Sequence, residues 1–375
     1  MKNKIKKTQA PKKHVSKKTQ LISTIVAIVL FAVVSVLIDG SSSLMLPKVF
    51  NKICIFSIAA LSLNLVCGNL GELVLGHGGF VLIGYVVSYL LTNYVIFPAL
   101  QDSMTMSEIT NVIYNVHGSE LHAAGYAIII GNAIIAALIT AVFGYIVGVI
   151  VLGRLKGDYL AIVTLGFGLV FVCLVQNLIP NGFTSLNSSS KLTGTPMLFA
   201  GFLVLTVFLL TMFIKSRFGR GIIAIREDAI AAESSGIPVN KYKILAFTVS
   251  AFFAGLAGGL YCHFGPQTAV QFNQDLSILL LLYIVLGGLG SFTGTLIATP
   301  LLEILNSYVL VVLPASFSNN PKIIYGILLI CIMLFKNKGI MGTNEFNWNW
   351  FYTLLDKIKL FFKRVFKKRK SEVAS

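Results

Sequence analysis

The residues best placed for ion-pair chemistry lie close together in "AIREDAIAAESSGI", residues 224–237. None of the charges in this stretch has an opposite charge three or four residues away, the spacing that stabilises an exposed helix. A short helix with unpaired charges and small faces is suited to docking into a groove on another protein. A solvated connector is the alternative that the pattern leaves open. The residues concerned are Arg226, Glu227, Asp228, Ala231, Ala232, Glu233 and Gly236.

Four Gly-rich breaks interrupt the apolar runs, and a second kind of chemistry is possible there. Unwound backbone can offer N–H and C=O groups to a polar ligand where it lines a cavity. Close helix packing is the alternative role for such glycines, and a histidine beside them can be satisfied by its neighbours. The candidate path residues at these breaks are Gly76, His77, Gly78, Gly166, Gly168, Gly287 and Gly288.

Glu303 is an acidic residue inside an apolar run. A charge facing lipid is unfavourable, so we expect Glu303 to face protein or water, either as the partner of another residue or as part of the path. No other chemistry is indicated. The chain has no G-x-x-x-x-G-K-[ST] phosphate loop and no Cys-x-x-Cys pair, so we predict neither ATP hydrolysis nor a metal site, and no enzyme activity.

These residues must be held by membrane-spanning helices. The chain has 375 residues, of which 56% are hydrophobic and 12% charged. Soluble domains carry about a quarter charged residues, and apolar runs of about 20 residues can cross a bilayer as helices. We therefore predict an all-α, polytopic membrane protein with about ten spans, at 21–38, 50–67, 80–100, 123–152, 158–179, 199–214, 244–262, 276–289, 295–313 and 321–335.

The charge distribution predicts the orientation. With both termini in the cytoplasm, the cytoplasmic segments hold 26 of the 30 Lys and Arg residues, as the positive-inside rule requires. The longest cytoplasmic loop is then 215–243, which contains the charged stretch. Gly-rich breaks after the second and seventh spans would be related by an inverted repeat, since those spans run in opposite directions.

Two basic tails flank the predicted membrane domain, residues 21–335. Residues 1–20 contain eight Lys, and residues 336–375 contain ten Lys or Arg with apolar residues at helical spacing. Basic segments beside membrane spans bind anionic lipid, and the second tail has the pattern of a helix lying on the inner leaflet. We expect lipid rather than nucleic acid as the partner of both tails.

Four segments resemble the permease family of bacterial branched-chain amino acid ABC importers, and their order fits its M-type subunits. They are "NLGELVLGHGGFVLIGYVVSYLL" (69–91), "RLKGDYLAIVTLGFG" (154–168), "GRGIIAIREDAIAAESSGIPVNKYKILAFTVSAFFAGLAGGLY" (219–261) and "LLYIVLGGLGSFTGTLIA" (281–298). The resemblance implies a bacterial cell-membrane protein that acts with a second permease subunit and an extracytoplasmic solute-binding protein. It also implies cytoplasmic ATPase subunits, which would bind ATP and Mg²⁺, whereas this chain would bind no cofactor.

Carried over from that family, the coupling element that contacts the ATPase falls on Arg226 to Gly236. The solute implied is leucine, isoleucine or valine. Relatives with this architecture carry urea, short amides or other amino acids, so another small solute is an alternative. An ATP-independent secondary transporter is a further alternative, although such carriers usually place carboxylates in the path, where here only Glu303 and Glu72 qualify.

Overall fold

The computed structural model describes most of the chain between residues 28 and 342, and all regular secondary structure in that part is helical. This confirms the predicted all-α class. Residues Ala32–Asn344 make up one compact unit. The described residues are 28–29, 31–40, 45–96, 123–153, 155, 157–178, 194–264, 272–309, 330, 334 and 339–342.

The described part of the chain contains ten α-helices between residues 45 and 304. Three of them continue as π-helical turns, Leu65–Leu70 after α1, Leu91–Ile96 after α2 and Leu305–Val309 after α10. In chain order the helices are α1 Met45–Asn64, α2 His77–Leu90, α3 Ala123–Val151, α4 Asp158–Leu178, α5 Pro196–Lys215, α6 Arg217–Glu227, α7 Ala229–Ser234, α8 Val239–Cys262, α9 Gln274–Gly287 and α10 Phe292–Ile304. Residues 31–39 are also helical.

Six of these helices are long and apolar enough to cross a membrane: α1 with its π-helical turn, α2, α3, α4, α5 and α8. The shorter α9 and α10 meet at a bend of 120° and give a seventh span if they are counted as one. Eight predicted spans coincide with α1–α5 and α8–α10. The count of about ten is not confirmed, because the bent pair α9 and α10 gives one span at most and, of 21–38 and 321–335, only 28–29, 31–38, 330 and 334 are described. The inverted repeat stays a prediction.

The helices differ in how much of their apolar surface is covered. The spans of α1 and α8 are 94% and 72% buried within the protein, whereas those of α3, α4 and α5 are 39%, 33% and 39% buried. A helix that is apolar all round suits either a protein interior or lipid. α1 and α8 therefore form the interior of the bundle, and α3 to α5 present apolar surface outward.

Glycine allows α8 to approach α2 closely. A Cβ atom placed on Gly84 of α2 would lie 2.2 Å from the carbonyl oxygen of Gly255 in α8, and one on Gly258 would lie 2.0 Å from the carbonyl oxygen of Val81. Any larger residue would force the two backbones apart. These glycines therefore have the packing role that small residues commonly take between membrane helices.

The loop between α5 and α8 marks one end of the bundle, which we call the loop end. The turn after α1 and the turn between α9 and α10 lie at this end, because Arg226 of α6 contacts Gly71 and Gly290. At the opposite end, His263 after α8 hydrogen-bonds Ser88 of α2 at 3.2 Å. α1 and α9 therefore run toward the loop end, and α2, α8 and α10 run away from it.

Candidate functional site

The charged stretch forms two helices, not the single helix over 224–236 that its Ala-rich composition predicts. α6 ends at Glu227 and α7 begins at Ala229, with Asp228 extended between them (φ −158°, ψ 108°). The Asp228 carboxylate accepts hydrogen bonds from the backbone N–H groups of Ile230 and Ala231 at 2.9 and 3.1 Å. Asp228 is therefore an N-cap. Its partners lie in the loop itself, which corrects the expectation that these charges are unpartnered there.

α7 ends at the predicted glycine. Gly236 has a positive φ of 82°, which glycine adopts without strain. Its N–H donates to the carbonyl of Glu233 at 2.9 Å, and the N–H of Ile237 donates to the carbonyl of Ala232 at 3.1 Å. This pair of bonds is a Schellman motif. Gly236 therefore ends α7.

Most of the predicted coupling residues lie on the surface of the loop. Ala232 is buried, and Arg226, Glu227, Asp228, Ala231, Glu233 and Gly236 are exposed. Ile230, which the sequence pattern did not single out, has 79% of its surface exposed. A single exposed isoleucine is common on protein surfaces and does not by itself mark a contact with another protein.

Arg226 differs from the other charges because its side chain lies against the bundle. Its Cγ atom is 3.1 Å from the position of a Cβ on Gly71, and its Nη1 atom is 2.8 Å from that position on Gly290. Both glycines have positive φ, 84° and 88°. Arg226 therefore spans two glycine turns, one after α1 and one between α9 and α10.

Residues 71–76 connect the turn after α1 to α2 without regular structure, and we call them the α1–α2 break. The break is tied to two other helices. Glu72 forms an ion pair with Lys243 in the first turns of α8, and the N–H of Leu75 donates to the Thr164 hydroxyl of α4 at 3.3 Å. No local sequence pattern indicates the Glu72–Lys243 pair, because the two residues are 171 positions apart.

His77 begins α2 directly after the break and is buried, with 2% of its surface exposed. Its Nε2 atom is 2.7 Å from the Ser62 hydroxyl of α1. Ser250 of α8 donates to the Ser62 carbonyl at 2.6 Å. Next to His77, the N–H of Gly78 donates to the Ser277 hydroxyl of α9 at 2.8 Å. His77 therefore sits in a polar cluster that joins α1, α2, α8 and α9.

The predicted path glycines near the break pack against backbone. A Cβ on Gly76 would lie 1.7 Å from the Thr164 carbonyl oxygen, and one on Gly78 would lie 2.7 Å from the Phe272 carbonyl oxygen. A Cβ on Gly168 would lie 3.3 Å from the Cα of Gly76. These three positions come together around the start of α2. Gly166 stands apart, because a Cβ there would meet no atom within 4 Å.

Asn64, the last residue of α1, joins the end of that helix to the turn between α9 and α10. Its side-chain amide donates to the Ser291 carbonyl at 3.0 Å and to the Thr295 hydroxyl at 2.9 Å. It also accepts from the N–H of Gly290 at 2.9 Å. We call residues 288–291 the α9–α10 turn. The predicted path residue Gly288 lies in this turn and packs against the backbone of Gly342, and Gly287, the last residue of α9, packs against the backbone of Gly294.

Glu303 of α10 is fully buried and has two partners. Its carboxylate lies 3.0 Å from the Lys52 ammonium of α1 and accepts a hydrogen bond from the Tyr283 hydroxyl of α9. Lys52 keeps 25% of its side chain exposed and lies 5.3 Å from the centre of the Phe56 ring. The expectation that Glu303 faces protein is met by this ion pair. Its predicted place in the path remains a prediction.

A basic groove of ≈ 760 Å³ lies between the start of α6 and the start of α8. Arg217, Arg220 and Lys241 supply its charge, and Phe218 and Tyr242 are among its apolar walls. Sequence patterns did not reveal it, since its residues come from two separate helices. Among the described residues there is no group of three side chains that could hold a metal ion.

Known proteins are similar to this sequence over most of its length. The family model described as branched-chain amino acid transport system / permease component matches residues 45–333. The high-affinity branched-chain amino acid transport system permease protein LivM of Salmonella typhimurium is 30% identical over 323 residues, covering 76% of this chain and 68% of the relative. A probable LivM of Methanocaldococcus jannaschii is 24% identical, covering 76% of this chain and 90% of the relative.

A second kind of relative aligns over a similar length. The permease protein LivH of Salmonella typhimurium is 23% identical over 312 residues, covering 80% of this chain and 96% of the relative. No solved structure matches. The matched region, 45–333, contains α1 to α10 and therefore every helix that holds the sites described above. This chain belongs to the branched-chain amino acid transport system permease family.

Proposed function

We propose that this chain is the membrane-spanning permease subunit of an ATP-driven importer for leucine, isoleucine and valine. The observation that carries the proposal is the family match over residues 45–333, which spans the whole helical bundle. Its relatives are named for branched-chain amino acid transport. The scarcity of charge inside the bundle agrees with an apolar side chain, since the described ion pairs there are Lys52–Glu303 and Lys243–Glu72.

The solute path is proposed to run beside the breaks in the spans. The α1–α2 break and the α9–α10 turn are the places in the bundle where backbone leaves helical geometry next to buried polar groups. In membrane transporters such segments bind polar solute groups. His77, Ser62 and Ser277 are the side chains at the first break that could bind an ammonium or carboxylate group.

The ATPase is proposed to dock on α7 at the loop end. The support is an exposed helix, held in a fixed shape by Asp228 and Gly236, that presents Ile230 and Glu233 outward beside the exposed Glu227 at the end of α6. ATP and Mg²⁺ would be bound by that ATPase. A second permease subunit, an extracytoplasmic binding protein and anionic lipid at residues 1–20 and 336–375 complete the proposed set of partners. The chain is placed in the bacterial cell membrane with both termini cytoplasmic.

Uptake measurements in a strain lacking this gene test the solute. We expect uptake of labelled leucine, isoleucine and valine to fall and to return when the gene is restored. Uptake of an unrelated solute such as labelled proline serves as the control for membrane energisation. If uptake of all three amino acids is unchanged while urea or short-amide uptake is lost, the substrate assignment is wrong although the permease role stands.

A further inference from the structure

The loop is fastened to the α1–α2 break from both of its sides. On the side before α7, the Arg226 side chain of α6 lies across Gly71 with its Cβ, Cγ and Cδ atoms 3.1 to 3.8 Å from the position of a Cβ there. On the side after α7, Lys243 of α8 forms the ion pair with Glu72. Two consecutive residues of the break are therefore held by the two helices that flank α7.

The π-helical turn Leu65–Leu70, which leads into the α1–α2 break, is in backbone contact with the α9–α10 turn. A Cβ on Gly68 would lie 2.3 Å from the backbone nitrogen of Gly290, so the two backbones touch with no side chain between them. Asn64 holds that contact with three hydrogen bonds to the turn and to the start of α10. Arg226 reaches both parts, because its guanidinium lies against Gly290 while its stem lies against Gly71.

We propose that Arg226 is a positioning residue that joins α7 to the α1–α2 break and the α9–α10 turn, so that movement of α7 displaces both breaks together. This role rests on the proposed function, in which an ATPase moves α7. It assigns to Arg226 a contact within the permease, whereas Glu227 and Glu233 face outward for docking.

Packing explains why Arg226 can transmit a displacement. Gly71 and Gly290 have no side chains that could rotate out of the way, and closely packed contacts respond by moving as a unit. The stem of an arginine provides packing as well as charge. Truncation to alanine removes the contacts of this side chain with the two turns beyond its Cβ atom, whereas lysine keeps most of the stem and the charge.

The test uses the complete transporter with its ATPase and binding protein, reconstituted in liposomes, and compares Arg226→Ala with Arg220→Ala. Arg220 lies on the same helix, and its guanidinium bonds the Lys215 carbonyl at 2.8 Å, away from both breaks. We expect Arg226→Ala to keep ATPase recovery and ATP hydrolysis while solute moved per ATP falls by roughly tenfold or more, within the usual range of coupling between sites. Arg226→Lys should recover much of the loss, and Arg220→Ala should match the unmodified protein.

Two outcomes would overturn the proposal. If Arg226→Ala lowers ATPase recovery, hydrolysis and transport in parallel, Arg226 is a docking residue. If the ratio of solute moved to ATP hydrolysed is the same for Arg226→Ala and Arg220→Ala, the contacts of Arg226 with Gly71 and Gly290 do not transmit the movement of α7. Should the alanine variant fail to reach the membrane, Arg226→Met, which lacks the guanidinium that lies against Gly290, takes its place in the comparison with Arg220→Ala. The ratio is measured with whichever solute the unmodified complex transports, so a wrong substrate assignment is seen separately.

Discussion

Glu303 shows how a single charge is accommodated inside the bundle. Its carboxylate has no exposed surface and is neutralised by Lys52, which is partly exposed. Removing one member of a buried pair is much worse than removing both, because the remaining charge stays buried without a partner. The asymmetry in exposure means that the carboxylate suffers more than the ammonium when the pair is broken.

This asymmetry predicts an order of stability among variants. We expect Lys52→Met to lower stability most, by roughly 3–5 kcal/mol, since it strands the buried carboxylate. Glu303→Gln should have a smaller effect because Lys52 can turn toward solvent and the Tyr283 hydroxyl keeps an acceptor. The double variant should be more stable than Lys52→Met alone. The measurement is the thermal aggregation midpoint of the purified protein in detergent.

Lys48 provides the matched control, since it is an exposed lysine one turn earlier on α1. Lys48→Met should leave the midpoint close to that of the unmodified protein. Equal effects of Lys48→Met and Lys52→Met would show that the ion pair contributes nothing to stability.

At this scale the sequence indicated that Glu303 needs a partner, and the structure supplies Lys52. It could not identify the partner, because the pairing depends on how α1 and α10 pack, which hydropathy does not encode. The same reason explains why Asn64 and the Glu72–Lys243 pair were missed. Each joins helices that are distant in the chain, and no local spacing marks such a pair.

Among the elements, α7 depends most on a single side chain. It has six residues, too few for a stable isolated helix. Asp228 satisfies two N–H groups at its start, and the Schellman motif satisfies carbonyls at its end. Composition alone suggested one continuous helix, because Ala, Ile, Arg and Glu all favour helix. Asp228 interrupts the helix instead, because an aspartate carboxylate hydrogen-bonds nearby backbone N–H groups best in non-helical conformations.

Substitutions at Asp228 can separate the effect of its capping hydrogen bonds on the shape of the loop from the effect of its charge. Asp228→Ser removes the charge and keeps a capping oxygen, whereas Asp228→Ala removes both, a change that costs about 0.5–2 kcal/mol at an N-cap. We expect Asp228→Ser to retain ATPase recovery and Asp228→Ala to lose part of it. Glu227→Lys keeps the cap and reverses an exposed charge, so its loss of recovery would report docking electrostatics. Co-purification of the ATPase with the permease is the measurement.

A structural control accompanies these variants. Hydrogen exchange of the α7 amides should be faster in Asp228→Ala and unchanged in Glu227→Lys. If Asp228→Ala and Asp228→Ser lose the ATPase equally, the charge of Asp228 matters for docking and its capping bonds do not.

For the whole molecule, hydropathy located eight helices correctly because long apolar runs are a strong signal. It treated α9 and α10 as ordinary spans, although they are short and bent by 120°. Glycine at 287, 288 and 290 marked the break, but only the contacts with Asn64 and Gly68 show that the chain turns back there. The angle between α9 and α10 is therefore set by tertiary contacts.

The orientation of the bundle can be tested at its two ends. In a protein with its cysteines replaced, we expect Ile230→Cys to react with a membrane-impermeant maleimide only in inside-out vesicles. Met45→Cys, which is exposed at the start of α1 and therefore at the opposite end, should react only in right-side-out vesicles. Labelling of position 230 from outside intact cells would show that the loop end is external and that the charge-based orientation is wrong.

The burial of α1 has a consequence for synthesis. This helix is made before α2 to α10, yet its span is 94% buried within the protein. The hydrogen bond between Asn64 and the Ser291 carbonyl cannot form until Ser291 has been synthesised, 227 residues later in the chain. At about 5–20 residues per second this delay is roughly 11–45 s. Until then the polar groups of α1, including Lys52 and Asn64, must be kept out of contact with lipid. Membrane insertion machinery or the water interface can provide such an environment. The helix at the centre of the bundle is therefore synthesised early but reaches its final packing late.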